Sequence, residues 1–162
     1  DTTFIGRFLN AVDDGVSELL KHESGVIALS DAGAHLIFMC DAGFGLHFLS
    51  HWVRERGDFD LVEGVRRLTS HQADLYGLVD RGRIAKGAFA DMLLFEPETV
   101  GITPAERLAD LPGGGRRTIR RPLGVHGVFV NGVEVFNEQG YVDLDGGPGH
   151  VLDEFKASSA LG

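Results

Sequence analysis

Three stretches of the chain place apolar residues three and four positions apart, which is the spacing of one face of an amphipathic α-helix. The predicted helices cover residues 4–20, 45–56 and 61–75, the third with a kink near Ser70. Asp58 or Asp60 can cap the start of the third helix, and Gly77 is expected to end it. The apolar stripe expected to face the core in that helix consists of Leu61, Val62, Val65, Leu68 and Leu75.

Short apolar runs predict strands elsewhere. Residues 26–29 form a continuous run bounded by Gly25, the pattern of a strand buried on both faces of a parallel sheet. Residues 92–95 predict a second short strand. Residues 124–136 predict a hairpin, since Asn131 and Gly132 readily adopt the positive φ angles of a type I′ turn. The hairpin should bring Val128 near Val135 and Val130 near Val133. Between these strands, Thr103-Pro104 is expected to start one helical turn before a flexible loop at 111–115.

The most informative chemistry follows the first predicted strand, where the sequence reads Ser30-Asp-Ala-Gly-Ala-His35. In barrels of alternating strands and helices, catalytic side chains lie where strands end at the carboxyl face. Asp31 is therefore a candidate catalytic residue. A structural alternative is that Asp31 caps the next turn by accepting backbone hydrogen bonds.

Composition narrows the classes of partner. The net charge is −9, which does not favour a nucleic acid partner. The only basic cluster is interpreted as a solvated edge strand and consists of Arg116, Arg117, Arg120 and Arg121. The single cysteine, Cys40, excludes an internal disulfide and fits a reducing compartment such as the cytoplasm. We expect no membrane-spanning segment and no signal peptide, because no apolar run is long enough to cross a bilayer.

The remaining histidines and one further acid are interpreted as structural. His47 and His51 are four residues apart on a predicted helix and could bind zinc, but the sequence between them is not that of a His-Glu-x-x-His motif. We therefore expect them at the surface or at the edge of the core. Asp91 is expected to accept backbone hydrogen bonds, and His71 and His126 are expected to be structural.

The motif at residues 30–35 resembles the end of the eighth barrel strand in the amidohydrolase superfamily, in the branch of the N-acyl-D-amino-acid deacylases, or D-aminoacylases. Residues 76–95 resemble that branch's Gly-x-Ile and Gly-x-x-Ala-Asp signature, and the predicted hairpin with a glycine-rich tail at 146–152 resembles its ending. The resemblance implies that Asp31 contacts a catalytic zinc and shuttles the proton of the attacking water. It also implies that His35 contacts the substrate, a small-molecule amide.

The resemblance also implies a fold, which is α/β followed by β. Residues 1–80 would be the last αβα portion of a TIM-like barrel, and residues 81–162 would belong to a small β-sandwich with its tail. Other members of the superfamily draw metal ligands from a His-x-His pair on the first barrel strand and from histidines on later strands. This sequence contains no His-x-His. We therefore expect a fragment that needs the missing amino-terminal part of the barrel, is inactive and binds no stoichiometric zinc by itself. Apolar faces left without the rest of the barrel would favour a homo-oligomer.

Two alternatives remain open at this stage. A cyclic amidase related to dihydroorotase or dihydropyrimidinase would keep Asp31 and His35 but act on ring amides. A non-catalytic assembly module would keep the fold without the metal.

Overall fold

The computed structural model describes residues 12–28, 30, 32, 34, 36–153 and 155. Helices occupy the first part of this range and strands the second. The helical segments are α1 (Asp13–Lys21), α2 (Phe44–His47), a π-helix (Phe48–Glu55), α3 (Leu61–Leu68), α4 (Ser70–Tyr76) and a 3₁₀ turn (Pro112–Gly114). The strands are β1 (Met92–Phe95), β2 (Gly101–Ile102), β3 (Glu106–Leu111), β4 (Gly115–Ile119), β5 (Pro122–Leu123), β6 (Val125–Val130), β7 (Val133–Asn137) and β8 (Gly140–Tyr141).

The first predicted helix is present and ends at Lys21, one residue beyond its predicted end. Its predicted beginning, including Phe4 and Phe8, lies outside the described residues. The second predicted helix is also present, but most of it winds as a π-helix. There the amide of Arg56 donates to the carbonyl of His51, five residues earlier, at 2.9 Å. This wider winding places Phe48 and Trp52 in the interior.

The third predicted helix is divided as expected. Thr69 separates α3 from α4 with a non-helical backbone, one residue from the predicted kink. The Asp60 carboxylate caps α3 by accepting from the amide of Glu63 at 2.7 Å, and Gly77 ends α4 in the left-handed conformation. The prediction of the buried face was wrong, because the interior of α3 and α4 is occupied by Gly64, Arg67 and Ala73. Most of the predicted stripe is exposed, namely Leu61, Val62, Val65 and Leu75.

Residues 25–28 carry no strand in the structure, contrary to the prediction. A strand needs a hydrogen-bonded neighbour, and no described segment pairs with these residues as a strand. Only Ile27 is buried, while Val26 and Ala28 are exposed. Ile27 nevertheless belongs to the core, which contains Ile27, Phe48, Leu49, Trp52, Val53, Phe59 and Val100.

The largest sheet has the strand order β1-β6-β7-β8, and every pairing is antiparallel. The predicted hairpin is confirmed as β6–β7, with Asn131 and Gly132 at positive φ in the turn. Val130 pairs with Val133 as predicted, whereas a bulge shifts the partner of Val128 to Phe136.

Two further pairs of strands form ribbons, β2 with β5 and β3 with β4. The helical turn predicted at Thr103-Pro104 is absent, and the chain there leads into the β3–β4 hairpin. Arg116 and Arg117 lie on β4, at the edge of this ribbon. None of the helices in the described part of the chain is long and apolar enough to cross a membrane.

Candidate active-site segment

The two candidate site residues, Asp31 and His35, lie outside the described residues, but the chain on both sides of them is described. We call residues 25–37 the motif segment. Within it, the hydroxyl of Ser30 accepts from the amide of Ala32 at 3.2 Å, which is a local turn of the kind that serine stabilises. The contacts of Gly25, Ile27, Leu36 and Ile37 therefore tell how the motif segment is held.

Arg67 on α3 holds the start of the motif segment. Its side chain is only 7% exposed, and it donates to the carbonyls of Gly25 at 2.9 Å and His22 at 3.3 Å. It also donates to the carbonyl of Lys21 at 3.2 Å, at the end of α1, and to the carboxylate of Glu63 at 2.8 Å. A cation near a helix C-terminus satisfies carbonyls that have no partner within the helix. Arg67 thus ties the end of α1 and the start of the motif segment to α3.

Gln72 on α4 holds the next part of the motif segment. Its side-chain amide donates to the carbonyl of Ile27, whose side chain is packed in the core. The chain that leads to Asp31 is therefore fixed by a backbone hydrogen bond and by apolar packing at the same residue.

Thr118 on β4 holds the other end. Its amide donates to the carbonyl of Leu36 at 2.6 Å, and its hydroxyl donates to the carbonyl of Ile37 at 3.0 Å. Thr118 is buried. The motif segment is thus anchored on both sides of Asp31 and His35 by elements that are distant in sequence.

The histidine pair on the helix contacts other protein groups. One ring nitrogen of His51 lies 2.9 Å from the carboxylate of Asp13 and the other lies 3.2 Å from that of Glu55, while the His47 ring stacks on it. Among the described residues, no three histidine, cysteine, aspartate or glutamate side chains are grouped so that they could hold a metal ion. The described residues therefore do not fit a catalytic metal centre.

Charged contacts fasten α1 to the π-helix and to the turn that follows it. The carboxylate of Asp58 accepts hydrogen bonds from Lys21 at 2.7 Å, Arg56 at 2.6 Å and Ser17 at 2.8 Å. These three donors, Lys21 first, hold the pKa of Asp58 well below its ordinary value. On α3, hydrogen bonds from Arg66 and then Arg67 lower the pKa of Glu63 to about 2.

The structure supports the structural interpretation of Asp91. Its carboxylate accepts from the amide of Asn131 at 2.7 Å and forms an ion pair with Arg81. The exposed ring of His126 lies 2.6 Å from the carboxylate of Glu138. His71 is half-buried, and its Nδ1 has no hydrogen-bond partner within the described part of the chain.

The sequence profile of the amidohydrolase family matches residues 7–136. The chain belongs to the amidohydrolase family. This match includes the motif segment with its Arg67 and Thr118 anchors, and it agrees with the resemblance seen in the motif at residues 30–35.

Relatives of this amidohydrolase chain include deacylases. It is 35% identical to a D-aminoacylase of Alcaligenes xylosoxydans over 104 residues, which are 61% of this chain and 19% of that protein. It is also 35% identical to an N-acyl-D-glutamate deacylase of the same organism over 88 residues, 54% of this chain and 16% of that protein. The chain thus spans less than a fifth of the length of either relative.

A solved structure of a D-aminoacylase also resembles this chain in fold. A D-aminoacylase mutant in complex with copper chloride matches this chain with a TM-score of 0.51 and 31% identity, over 69% of this chain and 21% of the other. The amidohydrolase fold resembling D-aminoacylase is therefore supported by both sequence and structure.

Sequence reasoning missed the three anchoring residues of the motif segment, Arg67, Gln72 and Thr118. An arginine between apolar positions of α3 was a weak signal for Arg67. The contacts of Thr118 join residues 81 positions apart, and no local pattern indicates them.

Proposed function

We propose that this chain is the carboxyl-terminal part of a larger amidohydrolase that hydrolyses the linear amide of N-acyl-D-amino acids. The observation that carries the proposal is the 35% identity to a D-aminoacylase over 104 residues. The motif at residues 30–35 and its anchoring on both sides by Arg67 and Thr118 support it further. We propose residues 1–80 as barrel and 81–162 as sandwich and tail. The single cysteine favours a cytoplasmic location.

Within this proposal Asp31 is the general base and then the general acid. Its carboxylate accepts a proton from water as the water oxygen attacks the amide carbonyl carbon. The carbon–nitrogen bond then breaks, and the same proton passes to the departing amine, which leaves a carboxylic acid and a free amino acid. His35 contacts the substrate. Zinc is proposed for the complete enzyme only, because the described residues do not fit a metal centre.

Substrate comparison in the complete enzyme tests this proposal. We expect release of the free amino acid from N-acetyl-D-amino acids at a kcat/KM at least about tenfold above that for the L-enantiomers or for hydantoins. A preference for ring amides would replace the proposal with a cyclic amidase. Absence of turnover with every amide, in a folded and metal-loaded enzyme, would favour the non-catalytic assembly module.

A further inference from the structure

We propose that Thr118 is a positioning residue for the motif segment, and that the β3–β4 hairpin serves the active site through it. The inference rests on the proposed function, because it gives Thr118 a role in substrate binding. Thr118 is 6% exposed, and it donates from its amide and its hydroxyl to two consecutive carbonyls, those of Leu36 and Ile37. Two hydrogen bonds to neighbouring peptide groups fix both the position and the direction of the chain directly after His35.

The hairpin that carries Thr118 is stiffened by ion pairs between its strands. Arg117 on β4 makes two hydrogen bonds to the carboxylate of Asp110, at 2.9 and 2.7 Å. Arg121, just past β4, pairs with Glu106 at the start of β3 at 2.6 Å. Bidentate arginine–carboxylate pairs restrict geometry more than single contacts do. Thr118 therefore projects from a braced element.

The base of the hairpin is joined to the core. The amides of Thr103 and Arg121 donate across the base, each at 2.9 Å, to the Arg121 carbonyl and the Thr103 hydroxyl. Val100, three residues before Thr103, is 1% exposed, and its carbonyl accepts from Arg54 of the π-helix at 2.5 Å. A series of hydrogen bonds and short chain segments thus links the π-helix to Val100, the hairpin base and Thr118, which contacts the motif segment.

The chain that follows the motif segment also packs closely against a strand ribbon, at β2. A Cβ atom at Gly43 would lie 2.6 Å from the side chain of Ile102 on β2, so Gly43 allows a close approach. The stretch that follows His35 is consequently in contact with the ribbons at both ends, at Leu36 and at Gly43.

The test uses the complete enzyme with N-acetyl-D-amino acids as substrates. Thr118→Val keeps the shape of the side chain and removes the hydroxyl donor, whereas Thr118→Ser keeps the donor. Thr118→Ala is a second donor-free variant in case the valine variant does not fold. Thr99→Val is the matched control, because it makes the same substitution at an exposed position outside the hairpin and outside the motif segment.

We expect Thr118→Val and Thr118→Ala to raise KM about tenfold with kcat within about twofold of wild type, since a displaced His35 binds substrate less well. Hydrogen exchange of the residue-118 amide should accelerate in both. Thr118→Ser and Thr99→Val should match wild type in KM and in exchange at residue 118. A merely structural role would lower the amount of active enzyme, and hence the apparent kcat, without changing KM.

An unchanged KM in both donor-free variants overturns the inference, and so does an equal rise of KM in Thr118→Ser. Wild-type enzyme without turnover on these substrates overturns the proposed function instead. The exchange rates at residue 118 then decide by themselves whether Thr118 holds the motif segment.

Discussion

Arg67 is a charged side chain in the interior, and its contacts explain why it is there. A buried guanidinium is costly unless its donors are paired. Arg67 meets that requirement with the carboxylate of Glu63 and with three carbonyls of residues 21–25. The guanidinium carbon of Arg67 also lies 5.9 Å from the centre of the Phe59 ring, which adds a cation–π interaction. One side chain therefore joins α1, α3 and the motif segment.

Arg67→Met should lower the free energy of unfolding by about 2 kcal/mol, because the carbonyls of Lys21, His22 and Gly25 lose their donor while the apolar stem is kept. Arg66→Met is the matched control: Arg66 is exposed, bonds only to Glu63 among the described residues and donates to none of the carbonyls of residues 21–25, so its loss should lower stability less than the loss of Arg67. Denaturant unfolding of the isolated chain measures both variants. Equal effects of the two substitutions would contradict the role of Arg67.

Acid should destabilise the chain through Asp58 and Glu63. The pKa values of both carboxyls are lowered in the folded state, so the unfolded state binds more protons below about pH 4. The stabilisation is complete above the unfolded pKa and is lost as the pH falls through the folded values. We expect an unfolding free energy that is nearly constant from pH 7 to 5 and decreases from pH 4 to 2. Asp58→Asn should weaken this decrease, and an unchanged pH dependence would refute the contribution of Asp58.

Helix ends and the hairpin turn could be predicted from the sequence, because a single residue decides the local backbone geometry at each of them. Asp60 caps α3, Gly77 ends α4, and Asn131-Gly132 forms the hairpin turn, each as predicted. The π-helix was not predictable, because one extra residue in a turn leaves the apolar spacing almost unchanged. The β3–β4 hairpin was missed because Thr103-Pro104 and the glycines at 113–115 have the composition of a loop.

Gly124 should be the least replaceable glycine near the sheet. Its φ is +61°, and a Cβ there would lie 2.7 Å from the amide nitrogen of Val100, a backbone atom that cannot easily move. Gly124→Ala should cost about 1–3 kcal/mol in the free energy of unfolding. Gly146→Ala is the control, since no atom of the described residues lies within 4 Å of its Cβ position. Thermal and denaturant unfolding that rank the two variants equally would contradict this assignment.

Only the part of the candidate site that lies in one short stretch of sequence could be predicted. The motif with Asp31 and His35 stands in one short stretch and indicates chemistry by resemblance. Its anchors, Arg67, Gln72 and Thr118, lie on elements distant in sequence. Of these contacts the local sequence carried a weak signal for Arg67 and none for Thr118. The buried face of α3 was mispredicted for a related reason: of its apolar stripe, Leu68 packs against the core, whereas Leu61, Val62 and Val65 stay exposed.

We expect the isolated chain to self-associate at micromolar concentration, because large apolar side chains remain exposed on α3 and α4. Val62 is 80% exposed and Leu75 is 52% exposed. Val62→Lys combined with Leu75→Lys should shift the sedimentation distribution toward monomer, and Val151→Lys, an exposed change outside this stripe, should shift it less. A wild-type chain that sediments as a monomer would contradict the expectation.

In the proposed function, this chain supplies the proton-transferring aspartate of an amide-hydrolysing site. Release of free amino acid from an N-acetyl-D-amino acid by the complete enzyme, wild type against Asp31→Asn, tests it most directly. We expect kcat to fall at least about a hundredfold while the fold is kept, as follows from the loss of a general acid–base group. Turnover by folded Asp31→Asn enzyme at the wild-type rate would contradict it.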